Sequence, residues 1–168
     1  MGKERDIKQK IENLLQVGEL VEAYHIIRAA VKEAPWKKEL VYLYAFVSIC
    51  NGYEDEAETA LENEADFGSN DDFILAKAYL LMKKDQNEEA AALISKIVNI
   101  HKSSIEILNS YGVKIFSLGL LELGYAYLYC VLSNPAVTKS DKFGIKIAFE
   151  YELSEIKDPL KKYTPGLN

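Results

Sequence analysis

The chain has few of the residues that interrupt helices. Only four prolines and nine glycines occur among its 168 residues, and long stretches contain neither. A β architecture with many turns would need more of both, so the composition favours helices. Hydrophobic residues make up 49% and charged residues 27% of the chain, which is typical of a globular protein and excludes a disordered one. A chain of this length can bury a sizeable core.

Basic residues are scarce, and one long segment lacks them altogether. The net charge is −6, and no Lys or Arg occurs between Lys38 and Lys77, while residues 54–72 carry nine acids. Because nucleic-acid binding depends on Lys and Arg that neutralise phosphates, we predict no nucleic-acid partner. Phe67 stands where an EF-hand calcium loop needs glycine. We interpret the acidic segment as a solvated helix face; a docking patch for a basic partner is the alternative.

Residues and motifs typical of catalysis are also sparse. The two histidines, His25 and His101, form no ligand-like set with Cys or carboxylates, and Cys50 and Cys130 lie in the apolar surroundings typical of reduced core thiols. No G-x-S-x-G, G-x-x-x-x-G-K-[ST] or G-x-G-x-x-G motif is present. We therefore predict no enzymatic activity, no metal and no cofactor. The N-terminus has no apolar segment typical of a secretory signal, so the predicted location is cytoplasmic.

Twelve residues recur at a period of 33 or 34 positions. Each set holds a turn residue, a small residue five positions later and an apolar residue four positions after that. The turn residues are Gly18, Gly52, Asp85 and Gly119, the small residues are Ala23, Ala57, Ala90 and Gly124, and the apolar residues are Ile27, Leu61, Ile94 and Leu128. We call these twelve positions the repeat lattice. A period of this length is typical of stacked helix–turn–helix units.

Each place in the repeat lattice predicts a structural role. The turn residue separates two helices at a point where a positive φ or an exposed polar backbone is needed. The small residue lets the first helix approach the second closely, and the apolar residue fills the space on the same face. Pro35 and Pro135 end the second helices of the first and fourth units. The first helices are predicted at residues 6–17, 39–50, 71–84 and 104–118.

The four units resemble the tetratricopeptide repeat (TPR), which reads W-x2-L-G-x2-Y, then A-x3-F, then P. The small and apolar lattice residues match A-x3-F in every unit, whereas the first half of the pattern is matched best in the fourth unit, by Leu108, Tyr111, Gly112 and Ile115. The resemblance implies an all-α fold: a right-handed α-solenoid of about four helix–turn–helix repeats with a C-terminal capping helix. It implies one domain, 1–168, with repeats at 4–36, 37–69, 70–103 and 104–136. A related α-solenoid is the alternative, because the first helices diverge from the pattern.

The chain after Pro135 is predicted to form the capping helix, at residues 140–157. One broad apolar side is expected from Phe143, Ile145, Ile147, Phe149, Leu153 and Ile156. Solenoids need such an end element to cover the last repeat. The alternative is that this helix docks a partner or a second copy of the chain. A mobile tail is predicted at residues 158–168.

The most apolar stretch runs from Ile115 to Leu132 and carries a single charge, Glu122. A membrane span would place that charge near the hydrocarbon centre at a cost of about 2.5–3.5 kcal/mol. The repeat lattice instead requires both Gly119, as the turn, and Gly124, as the close-contact position. We therefore predict two helices of a buried repeat and no membrane insertion.

The resemblance also implies a binding surface on the first helices, which line the concave side of a TPR stack. Carried over residue by residue, the candidate peptide-binding groove comprises Tyr42, Phe46, Ile49, Tyr79, Met82, Asn109, Val113 and Phe116. Tyr79 and Met82 depend on the register of repeat 3, whose first helix fits two alignments. These positions are apolar and aromatic, which suits an apolar or amphipathic peptide. The alternative is that Tyr42, Phe46 and Tyr79 pack between neighbouring repeats.

The predicted function is a non-enzymatic protein–protein interaction module, an adaptor or small chaperone that binds an apolar or amphipathic peptide segment in its concave groove. The alternative is a self-assembling or enzyme-attached scaffold whose aromatic face is buried in a homodimer or a larger complex. RNA binding of the kind found in related pentatricopeptide solenoids is disfavoured, because the groove positions are not basic. The predicted partner is thus a protein or peptide.

Overall fold

The computed structural model describes residues 2–62 and 70–155, and within these ranges the chain is all-helical. This confirms the predicted all-α class. The ten helices of the described ranges are α1 (Gly2–Gln16), α2 (Leu20–Glu33), α3 (Lys38–Cys50), α4 (Glu54–Glu62), α5 (Asp71–Lys83), α6 (Asn87–Ile100), α7 (Ile105–Ser117), α8 (Leu121–Ser133), α9 (Lys139–Ala148) and α10 (Glu150–Ser154).

The four turn residues of the repeat lattice all have a positive φ, as predicted. The angle is 81° at Gly18, 78° at Gly52, 57° at Asp85 and 74° at Gly119. At the end of α1, the Gly18 N–H donates to the Leu15 carbonyl and the Glu19 N–H donates to the Leu14 carbonyl, at 3.2 and 2.9 Å. This pair of bonds is the Schellman arrangement, which satisfies the last carbonyls of a helix and requires a left-handed residue. The backbone hydrogen bonds at Gly18 therefore mark this lattice turn as the end of a helix.

The small residues of the lattice are buried where two helices approach closely. Ala23, Ala57 and Ala90 are almost completely buried. At Gly124, a β-carbon would lie 2.5 Å from the ring of Phe116, which is on α7. Such a distance is far inside van der Waals contact, so any larger residue here would force the Phe116 ring to move. The close-contact role predicted for Gly124 is confirmed.

The described chain divides into two compact units, Met1–Lys83 and Lys84–Asn168, which we call unit 1 and unit 2. The boundary falls inside the predicted repeat 3. In unit 1, α3 contacts α1, α2, α4 and α5. Nine of its thirteen residues are buried, because its sequence is apolar on almost every face.

Unit 2 is built around α8, which contacts α6, α7 and α9. The Tyr127 hydroxyl donates a hydrogen bond of 2.6 Å to the Leu108 carbonyl on α7, so a buried polar group is satisfied where these two helices meet. The apolar stretch from Ile115 to Leu132 is divided by the turn at Gly119. No helix of the described ranges is both long and apolar enough to cross a membrane.

The predicted capping helix is two helices, α9 and α10, which meet at Phe149. The Thr138 hydroxyl accepts a hydrogen bond from the Asp141 N–H and begins α9. Of the six expected apolar residues, Ile145 and Phe149 are buried, whereas Phe143 and Ile147 are exposed. The expectation of one apolar side was wrong because residues two positions apart lie on opposite sides of a helix. Ile156 and the predicted tail, 158–168, lie outside the described residues.

Candidate functional site

Five of the eight predicted groove residues are core residues of unit 1. Each is at most 6% exposed; they are Tyr42, Phe46, Ile49, Tyr79 and Met82. The ring centre of Phe46 lies 6.1 Å from that of Tyr42 and 6.2 Å from that of Tyr79. The exposure expected for these side chains is therefore not found, since α3 is surrounded by four other helices. The three aromatic residues Tyr42, Phe46 and Tyr79 instead pack between neighbouring helices, which was the alternative to a groove.

The other three predicted groove residues lie on α7 in unit 2. Val113 is 60% exposed, and Asn109 and Phe116 are half-buried. The ring of Phe116 lies 5.8 Å from the rings of both Tyr125 and Phe149, and it also covers Gly124. Phe116 therefore contributes to the packing of α7, α8 and Phe149, and Val113 is the open side chain of the three.

One cavity in unit 1 lies where three helices meet. Its volume is about 410 Å³, and it is bounded by the end of α2, by α3 and by α4. We call it the Glu56 cleft. Its lining residues are Val31, Pro35, Val41, Tyr44, Asp55, Glu56, Thr59 and Ala60. Cavities of this size that combine apolar walls with a few polar groups are typical of ligand sites.

Two tyrosines hold the Glu56 carboxylate in place. The Tyr24 hydroxyl, from α2, donates to Oε2 of Glu56 at 2.6 Å, and the Tyr44 hydroxyl, from α3, donates to the same oxygen. Hydrogen bonds from neutral donors to a carboxylate are stronger than bonds between neutral groups. Three helices thus converge on one oxygen, and this convergence fixes the orientation of the carboxylate in the cleft.

The same contacts determine the charge of Glu56. The hydrogen bond from Tyr24 lowers the pKa of Glu56 most, followed by the bond from Tyr44 and the positive charges of Arg28 and Lys32; partial burial acts in the opposite direction. Hydrogen bonding to Glu56 and burial raise the pKa of Tyr24, and burial followed by the same hydrogen bond raises the pKa of Tyr44. At neutral pH the Glu56 carboxylate is therefore ionised, and the phenols of Tyr24 and Tyr44 that bond to it are protonated.

Aromatic rings support this arrangement. The ring of Tyr24 stacks on that of Tyr44 at 6.2 Å and contacts that of Tyr53 at 4.8 Å. The Arg28 guanidinium lies 5.8 Å from the centre of the Tyr24 ring, a cation–π distance. Arg28 does not line the cleft, whereas Tyr44 does. The Arg28 side chain therefore already occupies the cation–π position at the Tyr24 ring.

A second cavity in unit 1 is smaller, and the charged side chains that line it form ion pairs with one another. It has a volume of about 120 Å³ and lies between α1 and the end of α2. Lys37 pairs with Glu4, and Lys3 pairs with Glu33 at 3.6 Å. Because its four charged side chains form two ion pairs, this cavity has less charge available to bind a ligand than the Glu56 cleft has.

Sequence reasoning missed the Glu56 cleft. Glu22, Glu56 and Glu89 all precede the small residue of a repeat, so the lattice does not distinguish Glu56 from the other two. What distinguishes it is contact with Tyr24 of α2 and Tyr44 of α3, which is a property of packing. The signal that could have found it is the concentration of tyrosines at positions 24, 44 and 53 beside a run of acids.

The thiols and histidines do not form a second candidate site. Burial raises the pKa of Cys50 and raises that of Cys130 to about 11, so both thiols are protonated at neutral pH. His101 contacts the ring of Tyr111, and His25 that of Tyr24. In residues 2–62 and 70–155, no group of three or more His, Cys, Asp and Glu residues has a geometry that could hold a metal ion.

No protein-family model, no curated protein and no solved structure matches this chain. A function for it must therefore be inferred from its own residues. Two features can support that inference: the repeat lattice, with its four left-handed turns, and the Glu56 cleft.

Proposed function

We propose that the chain is a TPR-like right-handed α-solenoid of about four repeats with a C-terminal cap, and that it acts as a non-enzymatic interaction module in the cytoplasm. The observation that supports the fold is the agreement between sequence period and backbone. Turn residues spaced 34, 33 and 34 positions apart all take a positive φ. Independent helices would have no reason to repeat this geometry at a constant period.

The function follows from the use that repeat proteins make of their surfaces. Stacked repeats contact only their neighbours and present extended surfaces, which commonly bind peptide segments of other proteins. In this chain, five positions of the expected groove are buried, so the accessible part of unit 1 that suits a partner is the Glu56 cleft. We propose that an apolar or amphipathic segment of a partner protein binds there.

The proposal is tested by capture followed by peptide titration. The immobilised full-length chain is exposed to a native lysate, and overlapping 15-residue peptides of the most enriched protein are titrated against the free chain by fluorescence anisotropy. We expect one or two adjacent peptides to bind saturably with one-to-one stoichiometry. Enrichment without any saturable peptide, or no enrichment, would contradict an interaction module.

Self-assembly is the second candidate function, and exposed apolar side chains on α9 and α10 favour it. Phe143 and Ile147 on α9 are 65% and 59% exposed, and Tyr151 on α10 is 74% exposed. Exposed apolar side chains of this size are typical of a surface that another molecule covers. Light scattering from low to high micromolar concentration should then show a dimer that Ile147→Lys abolishes and Val21→Lys, an equally exposed change in unit 1, does not. A monomer at every concentration excludes this candidate.

A further inference from the structure

We propose that the Glu56 cleft binds a lysine or arginine side chain of the partner segment together with an apolar residue beside it. This rests on the proposed function and names the chemistry of the partner. The proposal differs from the groove expected from the sequence, because none of the eight expected groove residues lines the cleft. The partner is thus a basic and apolar peptide segment.

The charge of the cleft selects a cation. The charged groups that line it are Asp55 and Glu56, both acidic. In the described part of the chain, no Lys or Arg nitrogen lies within 4.0 Å of the Glu56 carboxylate, and no hydrogen bond reaches its Oε1. Arg28 and Lys32 act on Glu56 through their charge, but neither lines the cleft or forms an ion pair with the carboxylate. An ammonium or guanidinium group that enters the cleft can therefore bond to Oε1 without displacing either of them.

The carboxylate is prepared for this contact before a ligand arrives. The hydroxyls of Tyr24 and Tyr44 occupy Oε2, so the carboxylate does not need to be oriented when a ligand binds. Preorganisation of this kind lowers the entropic cost of binding. The Tyr44 ring also lines the cleft, and an aromatic face favours a nearby cation.

The apolar lining and the size of the cleft require more than a cation. Val31, Val41 and Ala60 line the cleft, and an ammonium group alone would leave this surface in contact with water. A volume of about 410 Å³ accommodates a long side chain and an apolar neighbour. A bare metal ion fits poorly, because the described acids here do not form a set of three ligands. The side chains of a peptide meet both requirements.

Two blocked dipeptides test the proposal directly. N-acetyl-Leu-Lys-amide and N-acetyl-Leu-norleucine-amide have the same apolar bulk and differ in the ammonium group. Each is titrated into the ¹⁵N-labelled full-length chain at low salt. We expect the lysine dipeptide to shift the amides of Tyr44 and of Asp55–Ala60, with an affinity about fivefold higher than that of the norleucine dipeptide, as for one partly exposed ion pair. Equal affinities, or shifts confined to other helices, would overturn the proposal.

Matched variants separate binding from folding. Glu56→Gln should reduce the affinity for the lysine dipeptide to that for the norleucine dipeptide, while Glu89→Gln, at the same lattice position in unit 2, should leave it unchanged. Glu56→Lys should reverse the preference, so that N-acetyl-Leu-Glu-amide binds more tightly than the lysine dipeptide. Far-ultraviolet circular dichroism verifies that each variant remains helical. If neither change at position 56 affects the preference, the assignment to Glu56 is wrong.

The outcomes also distinguish this inference from the proposed function. If the chain captures a partner and Glu56→Gln captures it equally well, the interaction module is supported and the cleft is not its site. If the lysine dipeptide binds the cleft but no protein segment does, the chemistry of the cleft is right and the proposed function is wrong. If a captured segment contains a basic residue beside an apolar one, and its replacement by norleucine weakens binding only to the parent chain and not to Glu56→Gln, both are supported.

Discussion

The four turn residues take the same backbone conformation with different amounts of strain. Gly52 has a φ of 78°, and a β-carbon there would meet no atom within 4 Å. Gly52→Ala should therefore lower the free energy of unfolding by about 1 kcal/mol through the backbone alone. Asp85 already occupies the left-handed region with a side chain, so Asp85→Gly should change stability by less than about 0.5 kcal/mol. Urea unfolding measures both, and an equal loss in the two variants would contradict this account.

Gly124 tests a close helix contact. Alanine is a better helix former than glycine by about 1 kcal/mol, but its β-carbon would overlap the ring of Phe116. Gly124→Ala should therefore destabilise the chain by about 1–2 kcal/mol, the cost of overpacking less the gain in propensity. Adding Phe116→Leu should recover part of the loss, which a double-mutant cycle of urea midpoints measures. Strictly additive effects would show that this ring and Gly124 do not interact.

Glu56 should make stability depend on pH in a defined direction. The hydrogen bonds from Tyr24 and Tyr44, and then the positive charges of Arg28 and Lys32, lower the pKa of its carboxyl in the folded chain. A lowered folded pKa contributes stability that is present above the unfolded value and is lost as the pH falls through the folded one. Glu56→Gln should thus be about 1 kcal/mol less stable than the parent at pH 7. The difference should begin to shrink as the pH falls past the ordinary glutamate pKa of about 4.3, and it should vanish only below the lowered pKa of Glu56 in the folded chain.

Urea midpoints between pH 7 and pH 3 measure the Glu56 effect. Glu89→Gln is the control, because Glu89 is exposed and occupies the same lattice position. The control should follow the parent at every pH. A Glu56→Gln deficit that persists undiminished at pH 3 would show that the carboxylate charge is not its source.

At the scale of elements, the last two helices are joined by a buried aromatic residue. Phe149 is 3% exposed, contacts Phe116 and covers Gly112, whereas Phe143 is 65% exposed. Phe149→Ala should lower the free energy of unfolding by about 3 kcal/mol, since it leaves a cavity beside α7. Phe143→Ala should change it by less than about 0.5 kcal/mol. Thermal and urea unfolding of the pair measure the contrast, and similar losses would mean that α9 buries its other face.

Most helices could be predicted from the sequence, whereas the features that could not be predicted depend on packing. Lattice turns and first helices follow from local rules, so the C-terminal ends of α1, α3, α5 and α7 lie within one residue of the predicted positions. The start of α1 was predicted less well, since it begins at Gly2 and not at residue 6. Burial follows from packing, which is not local. Phe46 was expected to line a groove, because the corresponding position lines the groove in the family that the sequence resembles. Instead, the apolar faces of α3 bury it. The break at Phe149 likewise depends on the ring of Phe116.

At the scale of the whole molecule, each unit has one central helix, and the two are of different kinds. In unit 1 the central helix is α3, the first helix of the predicted second repeat; in unit 2 it is α8, the second helix of the predicted fourth repeat. These two segments are apolar on nearly every face, which is why neither shows the one-sided pattern of an outer helix. The apolar stretch that suggested a membrane span therefore reflects a central position.

From the central positions of α3 and α8, we predict how stability is distributed within each unit. An amide in the middle of a central helix exchanges only when most of its unit opens, whereas α1 and α10 have few buried residues and can open locally. Native-state hydrogen exchange should find the slowest amides of unit 1 in α3 and those of unit 2 in α8. The fastest helical amides should be in the first turns of α1 and in α10. Protection in α1 or α10 equal to that in α3 or α8 would contradict this hierarchy, since it would require contacts that these outer helices lack among the described residues.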